Sequence, residues 1–333
     1  MLVTRSTINA YLFGAAVATR RHFFRFSTNI STNEFVYEFD RDTSVDMLEA
    51  PVEPAIHRCR NSFFSPLQVL LKSSEPLTGE WSIAGAPNGG LLVGMAINSM
   101  RKAIRAAGGE HHDPLTISCH FLSKSESGVQ VDIPVSVEKL GRKFSSVRAS
   151  FVQANETKVL FLGTFGSLQD FNGSSFNRLS TGYESMPKIG ECPVDLTDGV
   201  DHFGTLPRRI ILKLPKNSPI VTGFSQNKFG GKCLIEGHGG FKDGRPACLR
   251  SLGFFVDAFP PPLMNYELTR WVPTIELNVQ FFKRPQNVND LLPVRFYNEF
   301  MNNGLSSTQG EVYDSDGTLL AVSRQLCMAT VKG

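Results

Sequence analysis

Apolar and polar residues alternate along much of the chain in short runs that predict strands, and two longer segments break that alternation with helical spacing. The last strand candidate is Gly317–Val331, GTLLAVSRQLCMATV. It is apolar on both alternating faces, as a buried strand is, yet it carries Arg324 and Gln325 in its middle. A buried amide without partners costs about 1–3 kcal/mol, so Gln325 requires a local reason to be there.

The first helix candidate, NGGLLVGMAINSMRKAIRAAGG from Asn88 to Gly109, is entered at Pro87 and Asn88 and left at Gly108 and Gly109. It is apolar on more than one face, so it needs to be wrapped and not merely laid on a surface. The second, PACLRSLGFFVDAF from Pro246 to Phe259, opens on proline and is stopped by Pro260, Pro261 and Pro262.

Two regions repeat. Residues 143–165, KFSSVRASFVQANETKVLFLGTF, align without gaps to residues 304–326, GLSSTQGEVYDSDGTLLAVSRQL, through paired serines, a turn at Asn155 or Asp316, and an apolar strand. Upstream, LTISCHFLSK from Leu115 parallels PTIELNVQFFKR from Pro273. Both copies therefore read helix, strand, strand, hairpin, strand. These alignments set Thr116 opposite Thr274 and Thr164 opposite Gln325. The expected domains are 34–170 and 229–333. Between them, 171–228 reads as a crossover linker rich in Gly, Ser, Asn and Pro, with one strand at Arg209–Leu214.

A long apolar helix embraced by a curved antiparallel sheet is a hot-dog fold, and two tandem copies make an α+β double hot dog. The chain resembles the acyl-CoA thioesterase II-like family across roughly residues 75–331. The resemblance rests on WSIAGAPNGGLLVG from Trp81, LTISCHFL from Leu115, LGFFVDAFPPPL from Leu252, WVPTIELNVQFFKRP from Trp271 and DGTLLAVSRQ from Asp316, taken in that order and spacing. It implies hydrolysis of acyl-CoA to free acid and CoA by one water, with no cofactor and no metal. It also implies the residues that hold that water: Asp257 from FVDAF, Thr274 from PTIEL and Gln325 from SRQ.

Asp257 has support independent of the family. It follows Phe254, Phe255 and Val256 at the end of a helix candidate, where apolar neighbours and the negative end of the helix dipole both raise a carboxylate's pKa and make it a better base. The plain alternative is a carboxylate reaching solvent at a helix end. Thr274 has an ordinary explanation in β-propensity. Gly89 and Gly90, at a helix start where no side chain blocks approach, are candidate N–H donors to the thioester oxyanion, against the alternative of close packing. The first helix candidate contains no carboxylate, so one working site, in the C-terminal half, is expected.

Charge and composition narrow the rest. At 333 residues, 41% hydrophobic and 20% charged, the chain has an ordinary globular composition. Its net charge is +3, but Arg5, Arg20, Arg21 and Arg25 lie in the first 33 residues without an acid, so the remainder carries −1. That removes the electrostatic case for nucleic acid. The acid-free leader over 1–33, rich in Ser and Thr, suggests a mitochondrial presequence, with RFS at Arg25–Ser27 as a processing signal. Peroxisomal or cytoplasmic residence are alternatives, and a secretory signal has the wrong charge order. No segment approaches the roughly 20 apolar residues that span a bilayer. The six cysteines are scattered and read as reduced thiols.

Other motifs do not assemble. His111–Asp113, HHD, reads as solvated surface without a second ligand set, and HGG at His238 has no G-x-S-x-G to serve. Open sheet edges make a homo-oligomer the expectation. The rival to an enzyme is a non-catalytic scaffold that binds acyl-CoA or a partner in mitochondria.

Overall fold

The longest helix is built from residues 89–106, and its boundaries follow from local chemistry. Asn88 caps its start, its Oδ1 accepting the Leu91 N–H at 3.2 Å, and Gly108 closes its end in the left-handed region at φ 78°. The computed structural model describes residues 36–49, 66–176, 183–198, 204–226, 230–266 and 272–329. The leader expected over 1–33 lies outside them.

In chain order the first half holds α1 (Glu38–Asp42), β1 (Val45–Glu49), β2 (Leu67–Ser73), β3 (Ser82–Ile83), β4 (Ala86–Pro87), α2 (Gly89–Ala106), β5 (Asp113–Phe121), β6 (Asp132–Leu140), β7 (Ser145–Gln153) and β8 (Glu156–Gly166). The second holds β9 (Val194–Asp195), β10 (Ile210–Leu214), α3 (Pro219–Gln226), β11 (Leu234–Phe241), α4 (Leu249–Phe255), β12 (Thr274–Phe281), β13 (Leu292–Asn302), β14 (Leu305–Tyr313) and β15 (Leu319–Met328). The strand expected at 209–214 is β10, and with β9 it adds to the second half's sheet, so part of 171–228 is more than a connection.

All strands but β3 and β4 form one antiparallel sheet in the order β1-β2-β6-β7-β8-β5-β12-β15-β14-β13-β11-β10-β9. The two hot-dog sheets are thus joined edge to edge, β5 to β12, through pairs such as Ile117↔Val279. This pairing removes one open edge from each.

Helix α2 is buried over most of its length, and β1, β5, β6, β7 and β8 wrap it. Its remaining side meets α4. The contact is close: a Cβ on Gly90 would lie 2.4 Å from the Phe254 carbonyl oxygen, so only glycine fits there. Phe39 of α1 packs edge-on against Trp81 at 5.8 Å and at a tilt against Phe254 at 5.4 Å, sealing the helix pair with aromatic contacts.

The second helix is shorter than 246–259. It runs Leu249–Phe255, because the Asp257 N–H turns back onto the Phe254 carbonyl at 3.1 Å and swings Asp257 out of the helical path. Strand β15 answers the question of Arg324 and Gln325 by alternation. Arg324 faces outward and is exposed, while Gln325 faces inward and is 6% exposed.

Candidate active site

Asp257, Thr274 and Gln325, separated widely in sequence, line one cavity of about 1040 Å³. Helix α4 delivers Asp257 just past its C-terminus, β12 delivers Thr274 as its first residue, and β15 delivers Gln325 from its buried face.

The three are linked. The Thr274 hydroxyl donates to Gln325 Oε1 at 2.9 Å, and Gln325 Nε2 donates to the Val256 carbonyl at 3.1 Å. The amide's oxygen and one of its N–H groups are therefore engaged inside the protein, and capacity remains for a further partner. Burial raises the Asp257 carboxyl from 3.8 to about 7, against hydrogen bonds from Gly90, Gln325 and Gly89 that favour its charged form. The result is a carboxyl that titrates near neutral pH.

The direction of the dipole differs from the sequence expectation. Asp257 has left α4 and sits at the N-terminus of α2, where the Gly90 N–H donates to its Oδ2 at 2.9 Å. The positive end of an 18-residue helix supports the carboxylate, and the elevated pKa comes from desolvation alone. Of the two glycines, Gly90 does not offer the substrate oxyanion a free donor, because its N–H is held by Asp257 Oδ2. A Cβ on Gly89 would also lie 2.7 Å from Asp257 Oδ2, so the glycine pair admits the carboxylate to the helix end.

Asn88, noted in the sequence only as a helix entry, is part of the site. Its Nδ2 donates to the Asp257 carbonyl at 2.9 Å and to Oδ2 at 3.3 Å, while its Oδ1 caps α2. A cap residue followed by two glycines was a visible signal, but nothing in sequence said what the amide's other end would meet. Cys327 and Thr308 complete the wall beside the trio. The Cys327 thiol lies 3.8 Å from Thr274 Oγ1 and 3.9 Å from Thr308 Oγ1, and burial pushes it above its ordinary pKa, so it stays a neutral thiol.

Superposing the register breaks of the two copies corrects the repeat alignment. The β5–β8 pairing shifts between Pro114 and Thr116, and the β12–β15 pairing shifts between Thr274 and Glu276. Thr274 therefore corresponds to Pro114, and Thr116 to Glu276. Beyond the break, Ile117 faces Gly163 and Leu277 faces Gln325, so Gln325 corresponds to Gly163, not Thr164. At the helix ends, Gly108 N–H bonds Arg105 O just as Asp257 N–H bonds Phe254 O. Asp257, Thr274 and Gln325 are thus matched in the first half by Gly108, Pro114 and Gly163. Helix α2 fills the space left: a Cβ on Gly163 would stand 2.8 Å from Met100 Sδ.

The remaining sequence candidates serve structure. Asp113 is not solvated. It is 3% exposed, pairs with Arg284 at 2.6 Å and accepts the Leu168 N–H at 2.8 Å, pinning β5 to the loop after β12. His111 bonds Ser145 Oγ at 2.8 Å. His238 is buried against the Pro187 carbonyl at 3.0 Å, and burial lowers its pKa. Among the described residues no cluster of metal-ligating side chains occurs, and no helix is long and apolar enough to cross a membrane.

Comparison with known proteins agrees with this architecture. Residues 77–166 match the acyl-CoA thioesterase N-terminal domain, and residues 235–329 match the acyl-CoA thioesterase C-terminal domain. A curated relative, the Ustilagic acid biosynthesis cluster protein orf2 of Mycosarcoma maydis, is 26% identical over 174 residues, which are 49% of this chain and 42% of that one. This chain therefore matches less than half of that relative's length. Among solved structures, a candidate thioesterase II from Thermobifida fusca YX superposes with TM-score 0.69 at 21% identity, covering 90% of this chain and 99% of that one. A hot-dog protein of unknown function from Alicyclobacillus acidocaldarius gives 0.67 at 16% identity, covering 90% and 100%. The acyl-CoA thioesterase II TesB2 of Mycobacterium marinum gives 0.57 at 13% identity, covering 89% and 99%.

Proposed function

Since the chain belongs to the acyl-CoA thioesterase family, whose domains support thioester hydrolysis, we propose that it hydrolyses acyl-CoA to the free acid and CoA at the Asp257 cavity. The observation that carries this reading is the convergence of a carboxylate, an amide and a hydroxyl on one cavity wall, with the carboxylate desolvated.

In this mechanism a water held by Thr274 and Gln325 gives its proton to Asp257 as its oxygen bonds the thioester carbon. The tetrahedral intermediate collapses by breaking the carbon–sulfur bond. The proton on Asp257 passes to the leaving sulfur, which restores the base and leaves acid and thiol. General-base assistance of this kind supplies about 10²–10⁴ in rate. The α2 terminus and Asn88 keep Asp257 oriented and partly offset its desolvation. Lys124, the one cation on this cavity's wall among the described residues, lies beside Ser123 and Ser125 and suits the phosphates of CoA.

The acid-free leader supports residence in mitochondria. Release of free thiol from an acyl-CoA panel by purified protein, lost in Asp257→Asn, tests the activity. Tight acyl-CoA binding with no thiol released would favour the scaffold reading instead.

A further inference from the structure

The end of the α2–α4 pair opposite Asp257 gathers arginines that the catalytic cavity does not use. Contacts run from Gly90 against Phe254, through Ile97 against Gly253, to the charge of Arg101 beside that of Arg250, so the two helices are antiparallel. At a rise of about 1.5 Å per residue, Arg101 and Arg105 lie roughly 16 and 22 Å along α2 from Gly90. With Arg245 before α4, Arg250 in its first turn and Arg284 after β12 they form one group, and none of the five lines the cavity.

The carboxylates within the group are already committed. Asp40 takes both Arg245, at 2.7 Å, and Arg250, while Asp113 takes Arg284 at 2.6 Å. Arg245 and Arg250 also lie over the Phe39 ring at 5.1 and 5.4 Å, which fixes their planes. Arg101 and Arg105 have no hydrogen bond or ion pair among the described residues. Arg105 is exposed, but Arg101 is half-buried. Burial lowers the Arg101 pKa, and the charges of Arg105 and Arg284 lower it further against the pull of Cys248 and Asp113. Beside them, His112 Nδ1 is buried without a partner. A half-buried cation among like charges costs free energy unless an anion completes it.

This end is the image of the catalytic one. Past the end of α4, Asp257 brings a carboxylate to the helix pair, whereas Gly108 holds the matching position past α2 and brings none. We infer that the second end is a binding site for a small phosphate-bearing molecule, with Arg101 as its principal ligand and Arg105 and Arg250 beside it. Several guanidinium groups in one place suit phosphate, which carries up to two charges and enough oxygens for more than one bidentate partner. A single carboxylate already satisfies two arginines at Asp40 and still leaves Arg101 unmatched. The proposal stands apart from the thioesterase reading, because it concerns the other end of the helices and binding alone.

Isothermal titration of the full chain with pyrophosphate and with ADP tests it. Both should bind at low salt and more weakly as salt is raised. Arg101→Gln should weaken both by about tenfold or more, the usual consequence of losing a charge-assisted bond. Arg105→Gln, at an exposed position, should weaken them severalfold, and it decides the matter if Arg101→Gln does not fold. Lys124→Gln, at the Asp257 cavity, should leave both affinities unchanged. Tighter binding of ADP than of pyrophosphate would support the site as one for a nucleotide, and equal binding as one for the phosphates alone. No binding to the unaltered protein, binding that survives both arginine substitutions, or binding lost in Lys124→Gln would overturn the inference. Absence of thiol release from acyl-CoA would sink the hydrolase reading and leave this site standing.

Discussion

The Gly90 N–H donates to Asp257 Oδ2 at 2.9 Å, joining residues 167 positions apart. This bond places the carboxylate on the positive end of one helix and outside the negative end of another. Burial and the helix terminus then act against each other, and burial prevails, leaving the group at about 7.

Asp257→Asn should therefore separate activity from stability. Thiol release should fall by about 10²–10⁴ because the base is gone. Stability should move the other way with pH. The folded-state pKa is raised, so the native protein retains a proton that the unfolded chain gives up above the ordinary value of 3.8. The stability this confers is present below that value and is lost as pH climbs to about 7. At pH 8 the variant should melt above the unaltered protein, and near pH 4 the gap should close. Paired Tm measurements at the two pH values check this, and an unchanged hydrolysis rate would refute the role of Asp257.

Asn88 is a positioning residue, and its removal should move the pH profile. Asn88→Ala loses an N-cap worth about 0.5–2 kcal/mol and a donor to the carboxylate. The acid limb of kcat/KM should shift to higher pH, since the charged form of Asp257 loses support. Asn88→Asp, which keeps the cap but sets a like charge beside Asp257, should shift it further. A purely structural cap would lower Tm and leave the limb in place.

Gln325→Ala should cost both rate and stability. It removes the Gln325 bonds to the Thr274 hydroxyl and the Val256 carbonyl, leaving them only the longer contacts with Cys327 Sγ at 3.8 Å and Ser323 Oγ at 3.4 Å, and weakening buried hydrogen bonds costs about 0.5–1.5 kcal/mol each. Thr274→Ser should remain active and Thr274→Val should not, because the hydroxyl and not the methyl meets Gln325. Steady-state kinetics beside urea unfolding read both effects.

Each chain should carry one working site. The first half offers Gly108, Pro114 and Gly163 where the second offers Asp257, Thr274 and Gln325. Titration with a tight, non-hydrolysable acyl-CoA analogue should give one catalytic site per chain, and Thr116→Val should leave turnover unchanged. Turnover in an Asp257→Asn, Gln325→Ala double variant that disappears only when Thr116 is changed would contradict the asymmetry.

The mature protein should begin near Ser27–Ser31, as the RFS signal and the acid-free leader imply. N-terminal sequencing of the native protein decides it. A start at Thr19 together with glycan on Asn155 would indicate secretion.

Periodicity was enough to read the two helix-and-strand copies, because amphipathic spacing and caps such as Asn88 and Gly108 are local properties of the chain. Gln325 in an apolar strand and Asp257 after an apolar helix end each stood out locally, but that they and Thr274 form one trio was legible only through the order of family motifs. What tertiary structure alone decided was their surroundings. Which helix end meets Asp257 depends on how α2 and α4 cross, and that depends on glycines at the crossing, which no spacing reveals. The equivalence of the copies likewise turned on strand register, where a slip of one residue moves a side chain to the opposite face. A gapless alignment placed Thr164 against Gln325, and the paired strands put Gly163 there. The crossover segment shows the same limit: β10 was visible from its own alternation, but its place on the cavity wall arises from long-range pairing with β11 and a hydrogen bond to Ser82.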